Sequence, residues 1–284
     1  MAPQGYLAAG DGYTHRYDQI VVDIERHVKV IDDSALWHTS MEQAWRDATN
    51  FLSTVGRSGV ILNTKKFHFA EREAEFAGFR LCNGQIRLLD KHISAIRDFP
   101  EPRNITDIRS FFALCEQVSY CFTIKEQLLP FRELVKTKDR KKTFFWDDQL
   151  SKLFVEAKNK IADSVCKGIM SYDISKVTTV ETDWSKDGVG YWLRQKYCDC
   201  KPLTLDCCSD GWRVAMCGSR FCSPAESRYS PVEGELLAIT RALKKTKVFT
   251  LGSPNLYIVS DHKPLIGLIQ GCAGSRIFTG SGSG

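Results

Sequence analysis

Three acidic side chains stand where regular secondary structure could bring them together: Asp183, Glu235 and Asp261. Asp183 closes V-T-T-V-E-T-D, residues 177–183, a β-branched alternating run that reads as a strand. The turn signals Asp187, Gly188 and Gly190 follow it. Glu235 lies near the start of a predicted helix over 230–243, and Asp261 follows the short apolar run L-Y-I-V-S, residues 256–260. An aspartate at a strand end is by itself an ordinary turn residue. Three acids delivered by strand, helix and strand can do more, because together they can cage a divalent cation. Carboxylates suit Mg²⁺, which takes few protein ligands and keeps exchangeable waters. Two such ions could activate a water and stabilise a leaving oxygen during in-line attack on a phosphodiester.

The helix that carries Glu235 marks its own start. Ser230-Pro231-Val232-Glu233 places Ser at the N-cap, Pro at the first helical position and Glu at the third, a capping box. Glu233 therefore has a structural task. Counting three, four and seven residues on from Glu235 gives Ala238, Ile239 and Ala242, so Glu235 lies on the small apolar face expected to dock on a sheet. The helix N-terminus favours its charge by only about 0.5 kcal/mol. That is too little to offset desolvation of a carboxylate. A cation shared with Asp183 and Asp261 would suffice. His262, beside Asp261, reads as a helix-start residue, with contact to the ion as the alternative.

Other residues invite weaker readings. H-V-K-V-I-D-D-S-A-L-W, residues 27–37, reads as a β-hairpin with Asp32 and Asp33 at its tip. Such a pair is either a solvated turn or a cation site. The basic stretch 125–142 holds Lys136, Lys138, Arg140, Lys141 and Lys142, which form a solvated loop or track a phosphate backbone. Phe144, Phe145 and Trp146 follow, and ahead of an amphipathic helix over 150–161 they are expected in the core rather than stacked on bases. Cys198, Cys200, Cys207 and Cys208 form C-x-C…C-C, in the loop expected between the first two strands of the second domain's sheet. Zinc pairs are usually spaced by two to four residues and adjacent cysteines chelate poorly. Reduced thiols are thus the default, with a structural zinc as the alternative.

The elements that must position these groups follow from periodicity. Ser40 caps a helix whose stripe Met41, Ala44, Trp45, Ala48, Phe51, Leu52 and Val55 is expected to be core, and Gly56 ends it. Residues 65–69 and 75–81 are predicted to pair as a second hairpin, with Gly84 turning into a strand over 85–88. A helix over 90–98 is stopped by Pro100 and Pro102. Thr106 is expected to cap the next helix, with Ile108, Phe111, Phe112 and Cys115 facing a core. The segment 99–104 is the best joint between subdomains. At 284 residues there is room for two cores, and 43% hydrophobic with 26% charged residues is ordinary globular composition. A net charge of +5 is compatible with a nucleic-acid partner without requiring one. No apolar run reaches the roughly 20 residues of a membrane span, and the first ten residues lack a signal-peptide pattern. A soluble intracellular chain is expected, in cytoplasm or nucleus, its eleven scattered cysteines present as free thiols.

A family resemblance runs through the same residues. M-A-P-Q-G, V-I-D-D, E-F-A-G-F, I-R-D-F-P-E-P, F-F-W-D, T-D-W-S-K-D-G-V-G, S-R-Y-S-P-V-E-G-E-L-L-A-I and V-S-D-H-K-P-L occur in order. The chain thereby resembles the pol region of gypsy-type LTR retrotransposons over about residues 1–270. T-D-W-S, E-L-L-A-I and S-D-H-K-P-L are the most specific strings. The resemblance implies that Asp183, Glu235 and Asp261 are the first three acids of a ribonuclease H site. That site cuts the RNA of an RNA–DNA hybrid with Mg²⁺ or Mn²⁺, sensing the hybrid through its backbone and 2′-hydroxyls. It implies also that Asp32 and Asp33 match the paired aspartates of the polymerase Y-x-D-D box and would bind metal there, with Val30 where Tyr is usual. Gln4 and Gly5 match the loop flanking the nascent base pair. The hairpin around Phe76–Phe79 resembles the primer-supporting strands, and 105–122 the thumb.

The upstream polymerase aspartate would precede Met1, and the fourth ribonuclease H acid would lie on a later helix. The resemblance thus implies a chain truncated at both ends, ancestral RNA-directed DNA synthesis lost, and hybrid hydrolysis retained. The alternative is a catalytically dead nucleic-acid-binding or protein-interaction relic. The expected fold is α+β followed by α/β. It comprises a partial palm over 1–100, thumb and connection over 101–175, an incomplete ribonuclease H-like mixed sheet with helices over 176–270, and a flexible tail over 271–284. The expected partner is an RNA–DNA hybrid or template-primer, and no membrane.

Overall fold

Helix α1 (Ala9–Val21) comes from a stretch in which no element is predicted, since Gly10, Gly12 and Thr14 are weak helix formers. Tyr17 and Val21, one turn apart, bury its inner face with Ile24, Phe51 and Val55. The computed structural model describes residues 9–82, 84–119, 125–136, 144–265 and 277–279. They fall into two compact units, 1–83 and 84–284.

In the first unit, β1 (His27–Val30) and β2 (Asp33–Leu36) form the expected hairpin, with Val30 opposite Asp33 and Ile31 at a left-handed φ of 55°. Ser40 caps α2 (Met41–Arg57) by accepting from the Gln43 N–H, also as expected. The predicted core stripe of α2 is too wide. Ala44, Phe51 and Val55 are buried, whereas Met41 is 64% and Trp45 67% exposed. The helix meets α1 and β2 along one narrow line, and Trp45 instead lays an edge against Phe69. The second hairpin is also shifted. Residues 64–66 form a 3₁₀ turn capped by Asn63, and the paired strands are β3 (Glu73–Phe76) and β4 (Phe79–Cys82). The reversal is made by Ala77 and Gly78, both at positive φ, the geometry of a two-residue hairpin turn.

The second unit opens with β5 (Gln85–Leu88), α3 (Asp90–Arg97) and α4 (Ile105–Gln117). The cap of α4 is Asn104, not Thr106: its side chain accepts from the Asp107 N–H and its Nδ2 donates to the Asp107 carboxylate, which also accepts from the Arg103 N–H. Phe112 is only half-buried and stacks on Phe221. Short helices α5 (Lys125–Leu128) and α6 (Arg132–Lys136) lead to α7 (Asp148–Cys166), which Asp147 caps. Phe99, Phe111, Phe131, Trp146 and Phe154 form one aromatic cluster, with Phe111 and Phe154 at 4.7 Å between centroids. Trp146 of the F-F-W string thus joins the core as expected, but Phe145 is 64% exposed. Strand β6 (Ile169–Met170) pairs antiparallel with β5.

Then follow β7 (Thr178–Ser185), β8 (Gly188–Lys196), β9 (Trp212–Phe221), α8 (Pro231–Thr250), β10 (Leu256–Ser260) and β11 (Ile277–Thr279). They make a five-stranded mixed sheet in the order β11-β10-β7-β8-β9. β7, β8 and β9 form an antiparallel meander, and β10 and β11 add in parallel. Where a flexible tail is expected from 271 onward, Ile277–Thr279 is a strand beside β10: its I-F-T is β-prone. Val180, Leu193 and Ala215 on one face of the sheet pack on Ala242 of α8. Arg132 ties the helical part to this sheet. Its guanidinium lies 4.6 Å over the Phe221 ring and donates to the Asp187 carbonyl at 3.1 Å and the Cys222 carbonyl at 2.7 Å.

At the end of β9, Arg220 forms a two-pronged pair with Glu226, both N···O distances 2.6 Å, and the Ser223 N–H also donates to Glu226. The Arg220 hydrogen bond, then that of Ser223, hold the Glu226 carboxyl down at about 2 against an ordinary 4.5. A depressed carboxyl contributes stability that is complete above pH 4.5 and lost as pH falls toward 2. Glu226→Gln is expected to cost on the order of 2 kcal/mol at neutral pH and almost nothing below pH 2. Urea denaturation at neutral and acid pH measures this, and an equal loss at both would refute it.

Candidate metal centre

Asp183 lies on β7 opposite Gly190 of β8, and β10 runs parallel to β7 with Val259 beside Glu181. Carried two residues on, that register brings Asp261, just past the end of β10, alongside Asp183. Neighbouring strands are about 4.8 Å apart. Both acids are exposed. Glu235 comes from the second turn of α8 and is 6% exposed, with Ala238, Ile239 and Ala242 buried on the same face, as the helical count requires. The capping box that starts α8 is present in full: Ser230 accepts from the Glu233 N–H, and Glu233 accepts from the Ser230 N–H.

What seats Glu235 is a residue that pattern reading passes over. A Cβ built on Gly234 would lie 2.1 Å from the Trp184 ring, so only glycine lets α8 settle against β7 here. With the helix that close, Glu235 Oε1 accepts from the Trp184 backbone N–H at 3.3 Å. Its other oxygen, Oε2, is buried and has no hydrogen-bond partner. Burial first, then the charge of Asp261, and with a smaller contribution that of Asp183, push the Glu235 carboxyl up to about 7, against the opposing Trp184 N–H. A buried carboxylate oxygen without a donor, beside two exposed carboxylates of like charge, is a donor set suited to a hard divalent cation. The donor chemistry suits such an ion, while among the described residues the three acids are not drawn together into a cluster of metal-binding spacing.

The remaining candidates fare unevenly. Asp32 and Asp33 are exposed at the β1–β2 turn, and nothing among the described residues groups them with a third acid. Gln4, Gly5, Lys138, Arg140, Lys141 and Lys142 lie outside the described residues, as does the side chain of Lys136, the last residue of α6. His262 directs its backbone N–H to Ser260, and its Nε2 is buried and unpartnered.

Residues 173–277 match the model of the RNase H-like domain found in reverse transcriptase. This segment is an RNase H-like domain of the reverse-transcriptase kind. Relatives of the chain include the Retrovirus-related Pol polyprotein from transposon gypsy of Drosophila melanogaster, 25% identical over 83% of this chain and 22% of the relative. The Transposon Tf2-7 polyprotein of Schizosaccharomyces pombe is 24% identical over 95% of this chain and 19% of the relative. The chain therefore spans about a fifth of the length of these curated relatives. Among solved structures, the foamy viral protease-reverse transcriptase dRH in complex with double-stranded DNA superposes with a TM-score of 0.77 at 15% identity. That match covers 99% of this chain and 50% of that one. The foamy viral protein in complex with RNA/DNA hybrid gives 0.71 at 17%, covering 98% and 38%. The likeness is one of fold, and it extends over both units. The RNase H-like domain holds all three acids, and its match reaches past the expected limit at residue 270 to the end of the matched segment at 277. Among the described residues no helix is long and apolar enough to cross a membrane.

Proposed function

We propose that the RNase H-like domain hydrolyses the RNA strand of RNA–DNA hybrids, with Asp183, Glu235 and Asp261 holding Mg²⁺ or Mn²⁺. The observation that carries this reading is the buried, unpartnered Oε2 of Glu235 set against Asp183 and Asp261. A divalent cation bound there would supply Lewis-acid stabilisation of the phosphate and a water activated for attack. The protein's part is positional. The Trp184 N–H holds one oxygen of Glu235 and leaves the other available. Asp183 and Asp261 are exposed, so a backbone phosphate can approach them without opening the fold. α8 closes the inner side against bulk water. The family match and the hybrid-bound foamy viral relative support the substrate. On the same reading residues 1–100 derive from a polymerase palm and 101–175 from thumb and connection. Asp32 and Asp33 are a relic of the polymerase site, and the basic residues of 136–142, with Gln4 and Gly5, contact the nucleic acid.

The test is cleavage of an end-labelled RNA–DNA hybrid by the full chain with Mg²⁺, with Mn²⁺ and with neither. Cleavage of the RNA strand alone, only with added metal, is expected. Folded protein that cuts nothing under either ion would end the enzymatic reading and leave a binding role.

A further inference from the structure

The β8–β9 loop of the RNase H-like domain gathers four thiols. This places them between the second and third strands of the meander, one strand later than expected. The Sγ atoms of Cys198, Cys200, Cys207 and Cys208 all lie within 4.8 Å of one another, and those of Cys198 and Cys207 are 3.5 Å apart. A tetrahedral zinc with bonds of about 2.3 Å needs sulfur–sulfur edges of roughly 3.8 Å. The sequence objection, that adjacent cysteines chelate poorly, assumes an extended chain with alternating side chains. Here a turn at 205–206 and a bend at Cys207 precede Cys208, and both thiols reach the same centre.

Two further features prepare this loop for a charged centre. Its base is clamped: the Tyr197 N–H donates to the Gly211 carbonyl at 2.8 Å, and Gly211 holds φ at +83°. A Cβ on Gly211 would meet the Tyr197 oxygen at 2.5 Å, so the closure demands glycine. Beneath the loop, Lys196 is fully buried. Its ammonium donates to the carbonyls of Leu205, at 3.3 Å, and of Cys208, and it lies 4.8 Å over the Trp212 ring. All three partners are neutral, and a buried cation requires a counter-charge. Four thiolates around Zn²⁺ carry a net charge of −2 and would supply it.

We propose that Cys198, Cys200, Cys207 and Cys208 bind one zinc ion in a structural four-thiolate site. Four protein ligands leave no position for water, so the ion staples the loop and takes no part in hydrolysis. It lies apart from the three acids. Lys196 ends β8 six residues beyond Gly190, the partner of Asp183, a run of roughly 20 Å along the strand. The acids and the thiols thus occupy opposite ends of one sheet.

The test uses the full chain, produced with zinc and purified under reductant. Elemental analysis of the wild type is compared with Cys200→Ser, Cys207→Ser and the control Cys166→Ser, whose cysteine is exposed and outside the cluster. About one zinc per chain is expected in wild type and control, and its loss in both loop variants. Cobalt exchanged into the wild type should give the intense visible bands and sulfur-to-metal charge transfer of tetrahedral thiolate coordination. Zinc-free wild type, zinc retained in both loop variants, or an intact mass showing a Cys198–Cys207 disulfide without metal would each overturn the proposal. Should the loop variants prove insoluble, the wild-type zinc content and cobalt spectrum decide it alone.

Discussion

Glu235→Gln is expected to lower hybrid cleavage by about a hundredfold or more, and at the same time to make the protein more stable when no divalent ion is added. The two effects share one cause. Glutamine keeps an oxygen to accept from the Trp184 N–H but removes a charge that is buried and repelled by Asp261 and Asp183. Without an ion those carboxylates only destabilise one another, and removing one should gain about 1 kcal/mol. With an ion they become its ligands, and the gain is forfeited. Asp183→Asn should suppress cleavage to a similar degree but stabilise less, because Asp183 is exposed and its effect on Glu235 is smaller than that of Asp261. Cleavage assays beside thermal unfolding with and without Mn²⁺ separate these outcomes. A glutamine variant that cuts as well as wild type would show that the triad is not the site.

Gly234→Ala should destabilise the second unit by about 2 kcal/mol, against the helix-propensity gain of roughly 1 kcal/mol that alanine brings at an ordinary helical site. The sign reverses because the new methyl would lie 2.1, 2.3 and 2.6 Å from three atoms of the Trp184 ring. That ring packs with Val189, Cys222, Ala238 and Leu237, so moving it away disturbs those contacts. Displacing β7 from α8 also lengthens the hydrogen bond that fixes Glu235, so activity falls with stability. Denaturant midpoints measure the first and the cleavage assay the second. An alanine variant that unfolds at higher denaturant than wild type would mean that the helix does not sit this close.

Features set by local chemistry were legible in the sequence. The Ser230–Glu233 capping box, the hairpin around Ile31, the β-branched strand ending near Asp183 and the inward face of Glu235 each follow from a few adjacent residues. The misread features depend on choices between near-equal local options or on distant partners. Asn104 and Thr106 are both good caps, and only the pair of bonds that Asn104 exchanges with Asp107 selects the first. The width of the α2 stripe depends on what covers it, and α1 covers a single line, leaving Trp45 outside. β11 is held by β10, far from it in sequence. Gly234 looks like a flaw in a helix until Trp184, fifty residues earlier, is placed against it. The four cysteines reached one centre through a turn that spacing alone does not encode.

Arg132 stands some forty residues before the segment that matches the RNase H-like family, yet it caps the Asp187 and Cys222 carbonyls and covers the Phe221 ring. A recombinant fragment cut at residue 173 would leave those two acceptors and that aromatic face without their lid. The evolutionary module and the cooperative folding block therefore have different edges, and a fragment that keeps this lid must begin upstream of Arg132.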